Sequence, residues 1–123
     1  MKNNILIILA ILTLDACSSK YQKLKKQIGR MLVIGFENES VNKNTEIVKQ
    51  MQKYDLGEVI LFDKFYQKRS LTKNIRSPEQ LKELTGKLKK LSHRPLLISV
   101  DQEGGNVARL KHYYGFDRFP SAK

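Results

Sequence analysis

The chain has one cysteine, two histidines, three prolines and no tryptophan in 123 residues. Each scarcity removes a class of chemistry. A lone Cys17 excludes an internal disulfide and any cysteine-based zinc site. His93 and His112 match no metal-ligand spacing, so no metal is expected. No glycine-rich phosphate loop is present. Gly104-Gly105 lacks the spacing of either nucleotide fingerprint, and no cofactor is expected. Repeats and low-complexity tracts are absent too. The longest apolar run, Ile5 to Leu14, falls well short of the roughly twenty residues a spanning helix needs.

Acidic residues are also in deficit. Twelve Asp and Glu against 23 Lys and Arg give a formal net charge of +11 and a pI near 9.8. Such a balance favours anionic partners: nucleic acid, anionic lipid or an acidic wall polymer. The lysines are scattered through every segment, and no nucleic-acid motif accompanies them. The excess therefore reads as a solvated basic surface, and no nucleic-acid partner is expected. Apolar residues make up 41%, enough for a packed core in one small domain or part of a larger one.

The first 17 residues have the layout of an export signal: Lys2, then the apolar run, then Leu14-Asp15-Ala16-Cys17 and Ser18-Ser19. The last group resembles a bacterial lipoprotein box, with Cys17 as the lipid-attachment residue. Asp15 departs from it, because that place usually holds a small uncharged residue. The expectation is an exported protein anchored to a membrane, on its periplasmic or cell-surface side, by lipid rather than by a helix. Ordinary cleaved secretion is the first alternative, and a buried strand or helix the second.

Residues 20–31 carry Leu24, Ile28 and Met31 on one helical face. The apolar run Met31 to Phe36 predicts a first strand. A helix is predicted from about Thr45 to Tyr54, with Ile47, Val48, Met51 and Tyr54 inward and Gly57 as its C-cap. Val59 to Phe62 predicts the second strand. Asp63 stands at its end; lining a site there is one reading, a helix or loop cap is the preferred one, and it is not counted among the site residues. Residues 64–76 form a long connection with five cations, Lys64, Lys68, Arg69, Lys73 and Arg76. Such a loop is usually functional or mobile; here it reads as solvated, with steering of an anionic polymer as the alternative. Ser77-Pro78 followed by Gln80 is a capping box with proline in the first helical position. Leu81, Leu84, Leu88 and Leu91 then form a stripe for packing on a sheet. Helix and strand alternate three times, which implies an α/β fold with a parallel sheet and right-handed crossovers.

The chemistry gathers in the stretch PLLISVDQEGGNVAR, Pro95 to Arg109. An unalternated apolar run, suited to a strand covered on both faces, stops abruptly at Asp101-Gln102-Glu103-Gly104-Gly105. Two acids after such a strand need a polar cavity, water or a partner. In parallel α/β folds ligands bind at those strand ends. A helix cap and a plain turn are the competing readings.

ISVDQEGGNVARL with GFDRFPSA, preceded in order by IGRMLVIGF, LGEVILFD and NIRSPEQLKELT, resembles the glycoside hydrolase family 3 N-terminal domain. The likeness runs over roughly residues 24 to 123 and is nearest to the bacterial β-N-acetylhexosaminidase branch. The resemblance implies that residues 18–123, after a signal of residues 1–17, are the N-terminal portion of a TIM-type (β/α)8 barrel. About three β/α units are present, so the barrel is incomplete. It implies retaining hydrolysis of terminal β-linked N-acetylhexosamine through a covalent glycosyl-enzyme, on N-acetylglucosamine-containing oligosaccharides or wall fragments. Asp101 matches the aspartate that hydrogen-bonds the hydroxyls of the terminal sugar, and Arg109 the arginine that helps anchor it. Gln102 and Glu103 are expected to support the turn and Gly104-Gly105 to tighten it. Asn106 departs from the basic residue common at its place.

The family's nucleophile is an aspartate on a late strand, and its acid/base is a His–Asp pair after a motif like KHFPGHG. Neither occurs in these residues, so no catalytic residue is assigned, and the chain is expected to be truncated and inactive alone. Two other readings stand beside this one. The first is a non-catalytic, membrane-tethered lipoprotein that binds sugar or anionic polymer. The second is a family 3 β-glucosidase or β-xylosidase.

Overall fold

The computed structural model describes residues 19–68 and 70–121. Cys17 and the export signal lie outside the described residues. Among those described, no helix is long and apolar enough to cross a membrane.

Helix α1 is described over residues 19–29. After it come β1 (Val33–Gly35), α2 (Glu46–Tyr54), β2 (Glu58–Leu61), α3 (Pro78–Leu91) and β3 (Leu97–Val100). The predicted alternation is therefore present. The three strands form one parallel sheet in the order β1-β2-β3. Ile34 pairs with Val59, and Val59 with Ile98, so these three residues cross the sheet on one face.

That face is the core. Val59 and Leu61 are buried, as are Ile47, Val48 and Met51 of α2 and Leu84 and Leu88 of α3, all in one cluster. Leu81 and Leu91 pack at its margin, so the leucine stripe of α3 does what its spacing predicts. Ser77 caps α3, its hydroxyl accepting from the Gln80 amide at 3.2 Å. The Gln80 side chain does not return to Ser77. Its Oε1 accepts from the Arg76 N–H, while Nε2 donates to the carbonyls of Glu39 and Asn74.

The opposite face corrects an expectation. The unalternated run of β3 pointed to burial on both sides, yet Leu97 is 67% exposed and Val33 of β1 is 53% exposed. Among the described residues, helices cover one side only. Helix α1 departs in the same way: Leu24, Ile28 and Met31, its predicted inner face, are all exposed. Contact is made instead near its end, where the Gly57 amide donates to the Gly29 carbonyl at 3.2 Å. A Cβ on Gly29 would stand 1.8 Å from the Tyr54 carbonyl oxygen, so this approach requires glycine.

Helix α2 ends differently from expectation too. The left-handed residue is Asp55, at φ 57° and ψ 48°, rather than Gly57. Aspartate tolerates that conformation better than most residues. Here its carboxylate is held by Arg30, with Nε at 2.7 Å and Nη2 at 2.6 Å. Gly57 serves close packing instead: a Cβ there would lie 2.0 Å from the Arg30 carbonyl oxygen.

Candidate functional site

Both candidate acids emerge where the parallel strands stop. Asp101 follows β3 directly, and Asp63 lies two residues past β2. Asp101 leads directly into a strand rather than a helix, which removes the reading of that residue as a helix cap. The chain turns back instead through an antiparallel hairpin, β4 (Gln102–Gly104) and β5 (Val107–Ala108). Gly104 and Gly105 have positive φ, 79° and 56°. At Gly104 a Cβ would also lie 2.2 Å from the Pro120 carbonyl oxygen, so the tight turn belongs to glycine on two counts. Gln102 supports the turn as expected. Its Oε1 accepts the amides of both Arg109 and Leu110 at 3.0 Å.

This hairpin delivers Arg109 to the two strand ends. One guanidinium nitrogen lies 3.5 Å from Asp101 Oδ2, and the other 3.7 Å from Asp63 Oδ1. Lys111, two residues on, donates to Asp63 Oδ2 at 2.5 Å. The structure thus brings Asp101 and Arg109 together, as the sequence reading requires. It adds two residues that reading omitted. Asp63 is more than a helix or loop cap: it is 1% exposed and pairs with both Arg109 and Lys111. Burial works against the ammonium of Lys111, but hydrogen bonds to Asp63 and Tyr113 outweigh it and raise its pKa above the ordinary value of 10.5. The Nε of Arg109 and the hydroxyl of Tyr114 are buried without a hydrogen-bond partner among the described residues.

A cleft of about 570 Å³ opens beside the network, between the hairpin and the loop after β2. Asp63, Arg109 and Lys111 form part of its wall, with Phe62, Phe65 and Tyr66 as apolar lining. Asp101 is not on this wall; its half-exposed side chain stands beyond Arg109. The long loop is not a featureless solvated connection. It folds back on the strand end, with an isolated bridge between Lys64 and Thr72 and a hydrogen bond from the Lys73 amide to the Asp63 carbonyl. Among the described residues, no three His, Cys, Asp or Glu side chains gather as a metal site.

Such an arrangement can accept hydrogen bonds from hydroxyls at Asp101 and donate them to oxygens from Arg109. Residues 23–123 match the glycosyl hydrolase family 3 N terminal domain. The chain belongs to this family. The family 3 kinship read from the four sequence blocks is therefore the relationship found. A beta-hexosaminidase of Alkalilimnicola ehrlichii is 46% identical over 66 residues, 54% of this chain and 16% of that protein. Another, from Nitrosomonas eutropha, is 46% identical over 65 residues, 53% of this chain and 16% of that one. The solved structure of a glycoside hydrolase family 3 beta-N-acetylglucosaminidase from Paenibacillus sp. aligns with a TM-score of 0.63 at 29% identity. That alignment covers 80% of this chain and 17% of the Paenibacillus chain. The family 3 likeness thus spans about a sixth of the length of these relatives.

Proposed function

We propose that this chain holds the terminal sugar for a family 3 β-N-acetylhexosaminidase reaction. In that reading its three β/α units correspond to the start of a TIM-type barrel. One observation carries the reading: Arg109 bridges Asp101 and Asp63 at the ends of adjacent parallel strands, within the stretch that matches the family. Asp101 keeps an exposed face for the hydroxyls of a terminal N-acetylglucosamine, while Arg109 sets its orientation. Contacts of this kind lower the barrier where they tighten as the sugar ring distorts. Asp63 already faces Lys111 and Arg109 and serves as an anchor for the cations rather than as a nucleophile.

Retaining hydrolysis also needs a nucleophile and a general acid, and these 123 residues supply neither in the family's sequence context. The chain by itself is therefore expected to bind N-acetylglucosamine without releasing the chromophore of an aryl N-acetylglucosaminide. Calorimetric titration of the full chain checks this. Asp101→Ala should weaken sugar binding about tenfold, the value of a hydrogen bond to a charged group, with the melting temperature unchanged. Undiminished binding in that variant would remove Asp101 from the site, and turnover by the parent chain would place catalysis within these residues.

We also propose that the chain is exported and held at a membrane by lipid on Cys17. The short apolar run and the box around Cys17 support this. Cells fed an alkynyl fatty acid should label the parent protein, while Cys17→Ser should lose both the label and the membrane fraction. A labelled Cys17→Ser protein would sink the assignment.

A further inference from the structure

The two ends of the sheet differ in charge. Asp63, Asp101 and the candidate site lie where the strands stop. In a parallel sheet each crossover helix runs back, so α2 and α3 both finish at the opposite end, where β2 and β3 begin. The Gln52 side-chain amide donates to the Leu91 carbonyl at 3.2 Å and ties those two helix ends together. Helix α1 finishes there as well: the Gly29 carbonyl accepts from Gly57, whose own carbonyl accepts from the Leu97 amide at 3.0 Å.

Each helix brings cations to this end. Helix α2 carries Lys53 in its last turn, and α3 carries Lys89 and Lys90, all three exposed. Helix α1 adds Lys25, with Arg30 just past it. Lys25 and Lys53 come from different helices, yet their ammonium groups lie 5.0 and 5.2 Å from the ring centre of Tyr54. Basic residues in a last turn also complement the helix dipole, which is their ordinary role. That role does not account for α1: from Ser18 to Phe36 the chain holds five cations and no acid.

Among the described residues, Asp55 and Glu58 are the carboxylates that border this end, and Asp55 is divided between Arg30 at 2.6 Å and Arg94 at 4.0 Å. Lys25, Lys53, Lys89 and Lys90 pair with no carboxylate among the described residues. Acids gather toward the other end instead. Glu46 and Glu79 lie in the first turns of α2 and α3, and Asp63, Asp101 and Glu103 lie past β2 and β3.

We propose that the end where the strands begin is a docking surface for an anionic lipid bilayer, which points Asp101 and Arg109 away from the membrane. Cations on three separate helices suit a broad charged surface rather than one small anion. Anionic headgroups form such a surface and attract each lysine or arginine near it. The choice of lipid over other polyanions rests on the Cys17 proposal above, since α1 is described from Ser19, close behind Cys17. Lipid chains and a basic patch are two signals that together hold a protein stably at a membrane. The charge asymmetry itself does not depend on Cys17. The two ends act separately, because four-residue strands such as β2 span about 13 Å, beyond the roughly 10 Å reach of charges at 0.1 M salt.

The test uses the full chain as Cys17→Ser, so that no lipid attached there contributes. Its affinity is measured for vesicles of phosphatidylcholine alone and for vesicles mixed equally with phosphatidylglycerol, at about 0.1 M salt. The ratio of the two affinities reads the charge preference and cancels any partition of the apolar run Ile5 to Leu14. Lys53→Gln, Lys89→Gln and Lys90→Gln together should cut that ratio about a hundredfold, at about fivefold for each cation. Removing the same charge from the other end, through Lys64→Gln, Lys68→Gln and Lys73→Gln, should change it less than about threefold. Orientation is read separately. The chain has no tryptophan, so His93→Trp and Tyr113→Trp each give a single reporter. His93 is exposed between α3 and β3, and Tyr113 is 67% exposed with its ring 5.7 Å from the Lys111 ammonium. A quencher on the lipid headgroup should dim His93→Trp and spare Tyr113→Trp.

A ratio near unity for the Cys17→Ser chain overturns the proposal and leaves the Cys17 assignment to its own labelling test. Equal losses in the two triple variants assign the preference to net charge and overturn it too, as does equal quenching of both reporters. Duplex DNA bound as tightly as the mixed vesicles overturns it in favour of a general polyanion surface. If the vesicle results hold but Cys17 takes no label in cells, the docking surface stands and the lipid attachment falls. The reporters decide the matter even if the first triple variant fails to fold.

Discussion

Asn74→Ala should cost the fold about 3–5 kcal/mol, enough to consume much of the roughly 5–15 kcal/mol that a typical domain has. Asn74 is 0% exposed and occupies three backbone groups at once. Its Oδ1 accepts from the Phe62 amide at 3.0 Å. Its Nδ2 donates to the carbonyls of Phe36 at 3.1 Å and Asn38 at 3.0 Å. These groups lie just past the ends of β1 and β2, where the ladder has stopped and no neighbouring strand satisfies them. Alanine strands all three, at about 1–3 kcal/mol for each one left dry. Asn74→Asp keeps the acceptor and loses both donors while setting a carboxylate against two carbonyl oxygens, so it should be at least as damaging. Urea midpoints measure the effect, with the exposed Asn44→Ala as a reference expected within about 0.5 kcal/mol of the parent. Sugar binding should weaken in parallel, because Asp63 follows the clamped Phe62 directly. If Asn74→Ala unfolds at the parent midpoint, the side chain is no clamp.

The contrast between Asn74 and α3 shows what was legible in the sequence and why. Ser77, Pro78 and the leucine stripe act within one helix, through spacing that the sequence displays directly, and α3 forms where that spacing places it. The three strands are visible for the same reason, since apolar runs mark them. Partners far along the chain are a different matter. Asn74 meets Phe36, 38 residues earlier, and nothing local to a polar loop residue announces that bond. Lys111 meets Asp63 across 48 residues, a bond that nothing local to either residue announces. A signal for Asp63 did exist: like Asp101, it is an acid just past an apolar strand, and adjacent parallel strands bring their ends together. That pairing of strand ends favours the site over the cap for Asp63.

Two other expectations failed because a pattern states a preference rather than its fulfilment. The spacing of Leu24, Ile28 and Met31 says which face of α1 is apolar, not that any described residue covers it. The run Leu96 to Val100 says that β3 tolerates burial on both sides, yet Leu97 faces outward at 67% exposure. At Asp55 the left-handed turn fell to an aspartate because Arg30 secures its carboxylate, a contact made by tertiary packing and invisible to a rule that looks for glycine.

The network around Asp63 should show itself in the pH dependence of stability. Asp63→Ala leaves Lys111 and Arg109 close together without their common counter-charge. Removing one partner of a fully buried pair costs about 3–5 kcal/mol. Lys111 and Arg109 keep roughly a quarter of their side chains exposed and regain some hydration, so the expected loss here is about 2–3 kcal/mol. The sign with pH follows from Lys111. Its pKa in the folded chain is raised above 10.5 by Asp63 and Tyr113 against the opposing effect of burial. The stabilisation is therefore complete below the unfolded value and fades as pH rises through the higher folded one. Melting temperatures of parent and Asp63→Ala chains, taken from about pH 7 to pH 11.5, should differ by a constant amount through neutrality and converge only at the alkaline end. A gap that stays constant across the whole range would assign the loss to packing and not to the Lys111 pair. Sugar binding supplies the second readout. Asp101→Ala should lose affinity at unchanged stability, whereas Asp63→Ala should lose both, because it frees the guanidinium that Asp101 depends on for its place. That difference separates the residue facing the sugar from the one that holds the cations in position.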